Sequence, residues 1–160
     1  MDSSDVIILG GGLVGLTLAI ALEKHGLTVA VVDPLDPDKA LTAGFDGRAS
    51  AIASASWRML DALGVGEILK PHGCAIHRIE VRDGLQKGAL DFTTAEDDEP
   101  LGYMLENRAL RQGLRETALP AKGIALHMPD RSVKVERDDA GVRVTLASGK
   151  KLKAPLLLAC

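Results

Sequence analysis

Hydrophobic and polar positions change period several times along this chain, and each change marks an element. Val6-Ile7-Ile8-Leu9 is an unbroken apolar run of strand length between Asp5 and Gly10. Leu16 to Leu22 is apolar at nearly every position, which predicts a buried helix. Thr28 to Val32 predicts a second buried strand, ending at Asp33. Residues 34–47 carry Pro, Gly and Asp with no usable period and are expected to form a loop. Arg48 to Leu63 reads as a helix with a small Ala/Ser face and larger contacts from Ile52, Trp57, Leu60 and Leu63. Gly64 is its natural stop, and Ile68 to Lys70, before Pro71, closes a further short turn.

The second half alternates more. Ala75 to Arg82 and Leu90-Asp91-Phe92 predict an antiparallel strand pair with a loose connection, followed by an acidic loop at Glu96-Asp97-Asp98-Glu99. Asn107 to Leu119 predicts a helix, with Leu110, Leu114 and Ala118 on one face and Arg108, Arg111 and Arg115 mostly on another. A short strand at Ile124 to Met128 precedes a hairpin of Val133 to Glu136 with Val142 to Leu146. The closing run Ala154 to Cys160 has the pattern of a strand buried on both faces of a parallel sheet. Ligands bind beyond the carboxyl ends of such strands, so the chain reads as an N-terminal piece of a longer protein.

The first 33 residues carry the chemistry. Strand, glycine turn (Gly10, Gly12, Gly15), helix, strand and terminal acid together form the device that grips a dinucleotide. Gly10 allows the turn, Gly12 lets the backbone approach a pyrophosphate, and Gly15 lets the helix pack on the strand. The amides opening the helix, at Leu13 and Val14, face the phosphates with the positive end of the helix dipole. Asp33 can accept hydrogen bonds from ribose hydroxyls. Asp33-Pro34, with no Arg or Lys until Lys39, favours a free 2′-hydroxyl, hence FAD or NAD rather than NADP.

Composition narrows the partners. A chain of 160 residues that is 46% hydrophobic can bury a core, and a net charge of −3 without a basic stripe argues against nucleic acid. Cys74 and Cys160 have neither metal-ligand nor disulfide spacing, which fits reduced thiols and a cytoplasmic protein, with no metal site. The uncharged stretch Val6 to Leu22 is interrupted by glycines and preceded by Asp2 and Asp5, so it reads as neither a membrane span nor a signal peptide. His25, His72, His77 and His127 share no motif with a nucleophile or carboxylate, and no serine sits in a nucleophile elbow.

The order of elements, with the runs GGGLVGLTLA (10–19), VVDP (31–34), FDGRASAIASASWRMLDALGV (45–65), GYMLENRALRQGL (102–114), VKVERDDAGVRVTLASG (133–149) and APLLLAC (154–160), closely resembles the FAD-dependent aromatic hydroxylases. Within them it is similar to the ubiquinone-biosynthesis branch, of the 2-polyprenyl-6-methoxyphenol hydroxylase type. The resemblance implies an α/β, Rossmann-like FAD-binding domain of the glutathione-reductase-like type, incomplete at its C-terminus, with residues 74–105 starting the strands of a substrate domain.

It also implies a flavoprotein monooxygenase. NAD(P)H would reduce the flavin, O₂ would form a C4a-hydroperoxide, and the ring of a polyprenyl phenol would be hydroxylated, the piece alone being inactive. By position, Gly10, Gly12, Leu13, Val14 and Gly15 would hold the pyrophosphate of FAD and Asp33 its adenosine ribose. Arg48 would reach the ribityl-phosphate region, Asn107 would lie near the flavin, and the Val133 backbone would meet adenine. Plainer roles stay open. Arg48 is also a helix start beside Asp46, Asn107 an N-cap type with Arg108 as the nearer contact, and Val133 a strand residue. Contact with other ubiquinone-biosynthesis proteins and with the surface of the inner membrane is implied by the resemblance alone. Two other classes remain: an NAD-dependent dehydrogenase, for which residues 34–73 lack the next βαβ unit, and a non-catalytic FAD/NAD-binding module.

Overall fold

The computed structural model describes residues 1–42, 47–84, 88–95 and 98–160, so the Phe45-Asp46 end of the predicted loop and the Glu96-Asp97 half of the acidic loop lie outside the described residues. Thirteen strands are described. The first six are β1 (Asp2–Ser3), β2 (Val6–Leu9), β3 (Val29–Val32), β4 (Ala49–Ala53), β5 (Cys74–Ile76) and β6 (Arg78–Val81). The rest are β7 (Leu90–Thr93), β8 (Gly102–Glu106), β9 (Ile124–His127), β10 (Ser132–Asp138), β11 (Gly141–Leu146), β12 (Lys151–Ala154) and β13 (Leu156–Ala159). The α-helices are α1 (Leu13–Lys24), α2 (Pro37–Thr42), α3 (Ser54–Ala62), α4 (Gly66–Leu69) and α5 (Asn107–Ala118). The chain divides into two compact units, Met1–Asp46 with Leu110–Cys160, and Gly47–Ala109.

The first unit is layered around a parallel sheet of order β13-β2-β3-β9. Apolar runs make its centre: β2 and β3 are buried at every position but Leu9, which is half-buried. Ile7, Ala30 and Val32 point to one side and form a core with Val142, Val144, Leu146, Leu152 and Ala154. Those five belong to a second sheet of order β1-β12-β11-β10. Its strands β11 and β12 alternate buried with more accessible residues, as a sheet packed on one face should. The other side of the parallel sheet is packed by α1, whose Gly15, Leu16, Ala19 and Ile20 are buried. The strand beside β3 is β9, reached through α5 and not the strand next in sequence, so no βαβ unit follows Asp33 directly.

The second unit holds an antiparallel sheet, β4-β8-β5, and the ribbon β6-β7. The predicted pairing of Arg78–Val81 with Leu90–Thr93 is present. The stretch from Ala75 does not stay with it, because Cys74–Ile76 pairs with β8 instead. One face of the ribbon is charged, with Arg78 paired to Asp91 and Glu80, and Arg82 to Glu80. The other, made of Ile79, Val81, Leu90 and Phe92, is exposed. Trp57 and Tyr103 stack with ring centroids 4.2 Å apart.

Three further expectations are corrected. The helix expected from Arg48 begins only at Ser54, and Ala49–Ala53 is β4, paired residue for residue with β8. Ala and Ser permit either state there, and the partner strand decides. A Cβ on Gly102 would collide with the Ile52 carbonyl, so that pairing depends on glycine. The loop after Asp33 contains α2, started by Pro37 and by the Asp36 carboxylate, which accepts the amides of Asp38 (3.0 Å) and Lys39 (3.4 Å). The closing run is split by Pro155. Ala154 ends the unforeseen strand β12, and Leu156–Ala159 is the separate strand β13, paired in parallel with β2.

Candidate functional site

In the first unit, β2, α1 and β3 bring the glycine turn and Asp33 together. Gly10 takes a φ of +113°, a conformation that favours glycine, as the chain leaves β2. A Cβ on Gly15 would overlap the Gly10 carbonyl, so the missing side chain is what lets α1 sit against the turn. Gly12 is different. It precedes α1 and is exposed, and nothing lies within 4 Å of where its Cβ would be. No side chain caps α1 and its first turn carries no acid, so the amides at its start are available to an anion.

Asp33 is fixed from every side. Its amide donates to the His127 carbonyl and its carbonyl accepts the Asp130 amide at 2.9 Å. One carboxylate oxygen accepts the Gly11 amide at 2.7 Å and the other the Leu35 amide at 2.7 Å. Each oxygen keeps acceptor capacity for further donors. An exposed glycine with open space around it, an uncapped helix start and an oriented carboxylate fit the phosphates and ribose of a dinucleotide such as FAD.

The remaining candidates lie elsewhere. In the second unit Arg48 and Asn107 are neighbours across the end of the β4–β8 pairing. The Asn107 amide donates to the Arg48 carbonyl at 3.1 Å, and Ser50 Oγ donates to Asn107 Oδ1 at 2.6 Å. Asn107 opens α5 as its first residue, and Arg48 is exposed. Val133, in the first unit, is exposed at a bulge: the register slips between Ser132 and Lys134, leaving it without a partner residue on β11.

Tertiary structure adds groups that the sequence reading passed over. A cavity of about 190 Å³ opens behind Gly11, walled by Leu16, Leu126 and Met128 and by Pro37, Arg111 and Arg115. Arg115 pairs with Asp38 at 2.7 Å, linking α5 to α2. The only available signal was the i, i+4 spacing of the two arginines. His127 belongs to no motif legible in the sequence. Its Nε2 is buried with no hydrogen-bond partner, and burial, reinforced by Lys150, holds its pKa below the ordinary value against Asp2 and Asp130. No helix among the described residues is long and apolar enough to cross a membrane.

Known proteins share both sequence and fold. Over 157 residues the chain is 45% identical to ubiquinone hydroxylase UbiL of Rhodospirillum rubrum, covering 97% of this chain and 36% of that protein. It is 31% identical to 3-demethoxyubiquinol 3-hydroxylase of Escherichia coli, covering 97% and 40% respectively. Among solved structures, Pseudomonas aeruginosa PqsL in complex with 2-aminobenzoylacetate superposes with a TM-score of 0.77 at 25% identity, over 98% of this chain and 42% of the other. The p-nitrophenol 4-monooxygenase PnpA of Pseudomonas putida gives 0.78 at 21% identity, covering 99% of this chain and 41% of the other, a likeness of fold. The chain thus spans well under half the length of these relatives. The family model for the FAD binding domain matches residues 3–160, and with the glycine turn, the helix start and Asp33 in place, the chain belongs to the FAD-binding-domain family.

Proposed function

We propose that this chain forms the FAD-binding part of a flavoprotein monooxygenase that hydroxylates the aromatic ring of a polyprenyl phenol in ubiquinone biosynthesis. The observation that carries the reading is the 45% identity, over nearly the whole chain, to a protein named as a ubiquinone hydroxylase. FAD supplies the redox chemistry when bound, with NAD(P)H as reductant and O₂ as the oxygen source. The chain's own residues bind and orient it. The Gly10–Gly15 turn and the amides of Leu13 and Val14 hold the pyrophosphate, and Asp33 holds the adenosine ribose. Arg48 reaches the ribityl phosphate, Asn107 lies near the flavin, and the bulged backbone at Val133 meets adenine.

Residues 74–105 start the strands of a substrate domain, a reading supported by the exposed apolar face of β6–β7. A prenylated substrate would bring the protein to the surface of the inner membrane from the cytoplasm, beside other enzymes of the same route. The test is turnover by the complete gene product, with isotopically heavy O₂, NADH or NADPH, and a series of prenylated phenols. Mass spectrometry should find one heavy oxygen on the ring. Stoichiometric FAD with no hydroxylated product from any member of the series would overturn the assignment.

A further inference from the structure

We propose that the Asp38–Arg115 ion pair is a positioning device for recognition of the adenosine ribose by Asp33. The inference rests on the ribose role given to Asp33 above.

One of the two amides that hold the Asp33 carboxylate comes from Leu35, in the link that leads into α2. That helix is only six residues long, too short to hold itself. Its start is held locally by the Asp36 cap and the Lys39–Asp36 pair, and the pair from Asp38 reaches across to α5. The partners are unequal. The Asp38 side chain is 77% exposed, whereas that of Arg115 is 24% exposed, in the wall of the cavity behind Gly11. A partly desolvated guanidinium depends on its carboxylate more than a surface arginine does. Losing the pair releases α2, and with it the Leu35 amide that orients one Asp33 oxygen. The Gly11 amide, the open Gly12 backbone and the start of α1 do not depend on α2. The damage should therefore fall on the ribose and spare the phosphates.

The probes are ADP and 2′-deoxy-ADP, titrated by calorimetry into the complete gene product stripped of FAD. Asp33→Ala should abolish the preference for ADP, and no effect there would sink the ribose role and this proposal with it. Given that loss, Asp38→Asn and Arg115→Gln should each lower the preference about two- to fivefold, the span that a partly exposed pair supports. Affinity for 2′-deoxy-ADP should hold, and the exchanged pair Asp38→Arg with Arg115→Asp should recover part of the preference. An unchanged preference in the single variants overturns the proposal while leaving Asp33 its role. So does an equal loss of affinity for both nucleotides with a lowered melting temperature, because that marks a merely structural pair.

Discussion

At the residue scale, Gly12 and Gly15 share one motif but do different work. A methyl group at Gly15 meets the Gly10 carbonyl, so Gly15→Ala should destabilise the fold by about 1–3 kcal/mol, the usual cost of overpacking. A methyl at Gly12 meets open space, so Gly12→Ala should leave stability within about 1 kcal/mol while weakening FAD binding by intruding on the phosphate. Urea titrations beside flavin titrations separate the two, and equal effects on both readouts in both variants would contradict the division. His127 offers a second test. It pairs in register with Val32, and its lowered pKa means that the folded state favours the neutral ring. The unfolded chain then binds the proton more readily, so stability is retained above the ordinary value of 6.5 and lost as pH falls below it. The urea midpoint should drop between neutral and mildly acidic pH, and His127→Leu should flatten that drop.

At the element scale, caps and partner strands decide boundaries. The end of α3 is legible at Gly64, which takes a φ of +81°. Its amide bonds to the Asp61 carbonyl while the Val65 amide reaches back to Leu60, the paired bonds of a glycine-terminated helix. Gly64→Ala should cost about 1–2 kcal/mol, read from the urea midpoint. The start of the same region was misread, because Ala-Ser-Ala-Ile-Ala suits a helix until a strand offers it a ladder. The start of α2 is more local. Asp36→Ala should fray it by about 1 kcal/mol, visible as faster hydrogen exchange at the amides of Asp38 and Lys39 with little change in global unfolding. Global unfolding at the same denaturant concentration as that fraying would show α2 to be part of the main cooperative unit.

At the scale of the whole molecule, the first unit is stabilised by the core between its two sheets. Leu152 is fully buried there, in a strand too weakly apolar to notice in Lys151-Leu152-Lys153-Ala154. Leu152→Ala should cost about 2–5 kcal/mol, measured by denaturant unfolding, and a loss under 1 kcal/mol would mean that the sheets are less tightly packed than drawn. The sequence by itself determined the dinucleotide-binding βαβ unit, Gly10 to Gly15, Asp33 and the helix of Leu110 and Leu114. Each is specified by residues within a few turns or strand lengths of one another, through period, glycine geometry and a terminal acid. Only the tertiary structure decided that Ala49–Ala53 is a strand, that Lys151–Ala154 is a strand of its own, that Asn107 lies beside Arg48, and that Arg115 reaches Asp38. Those outcomes depend on hydrogen bonds and ion pairs between segments far apart in the chain, where local preference is nearly neutral and the partner supplies the deciding free energy.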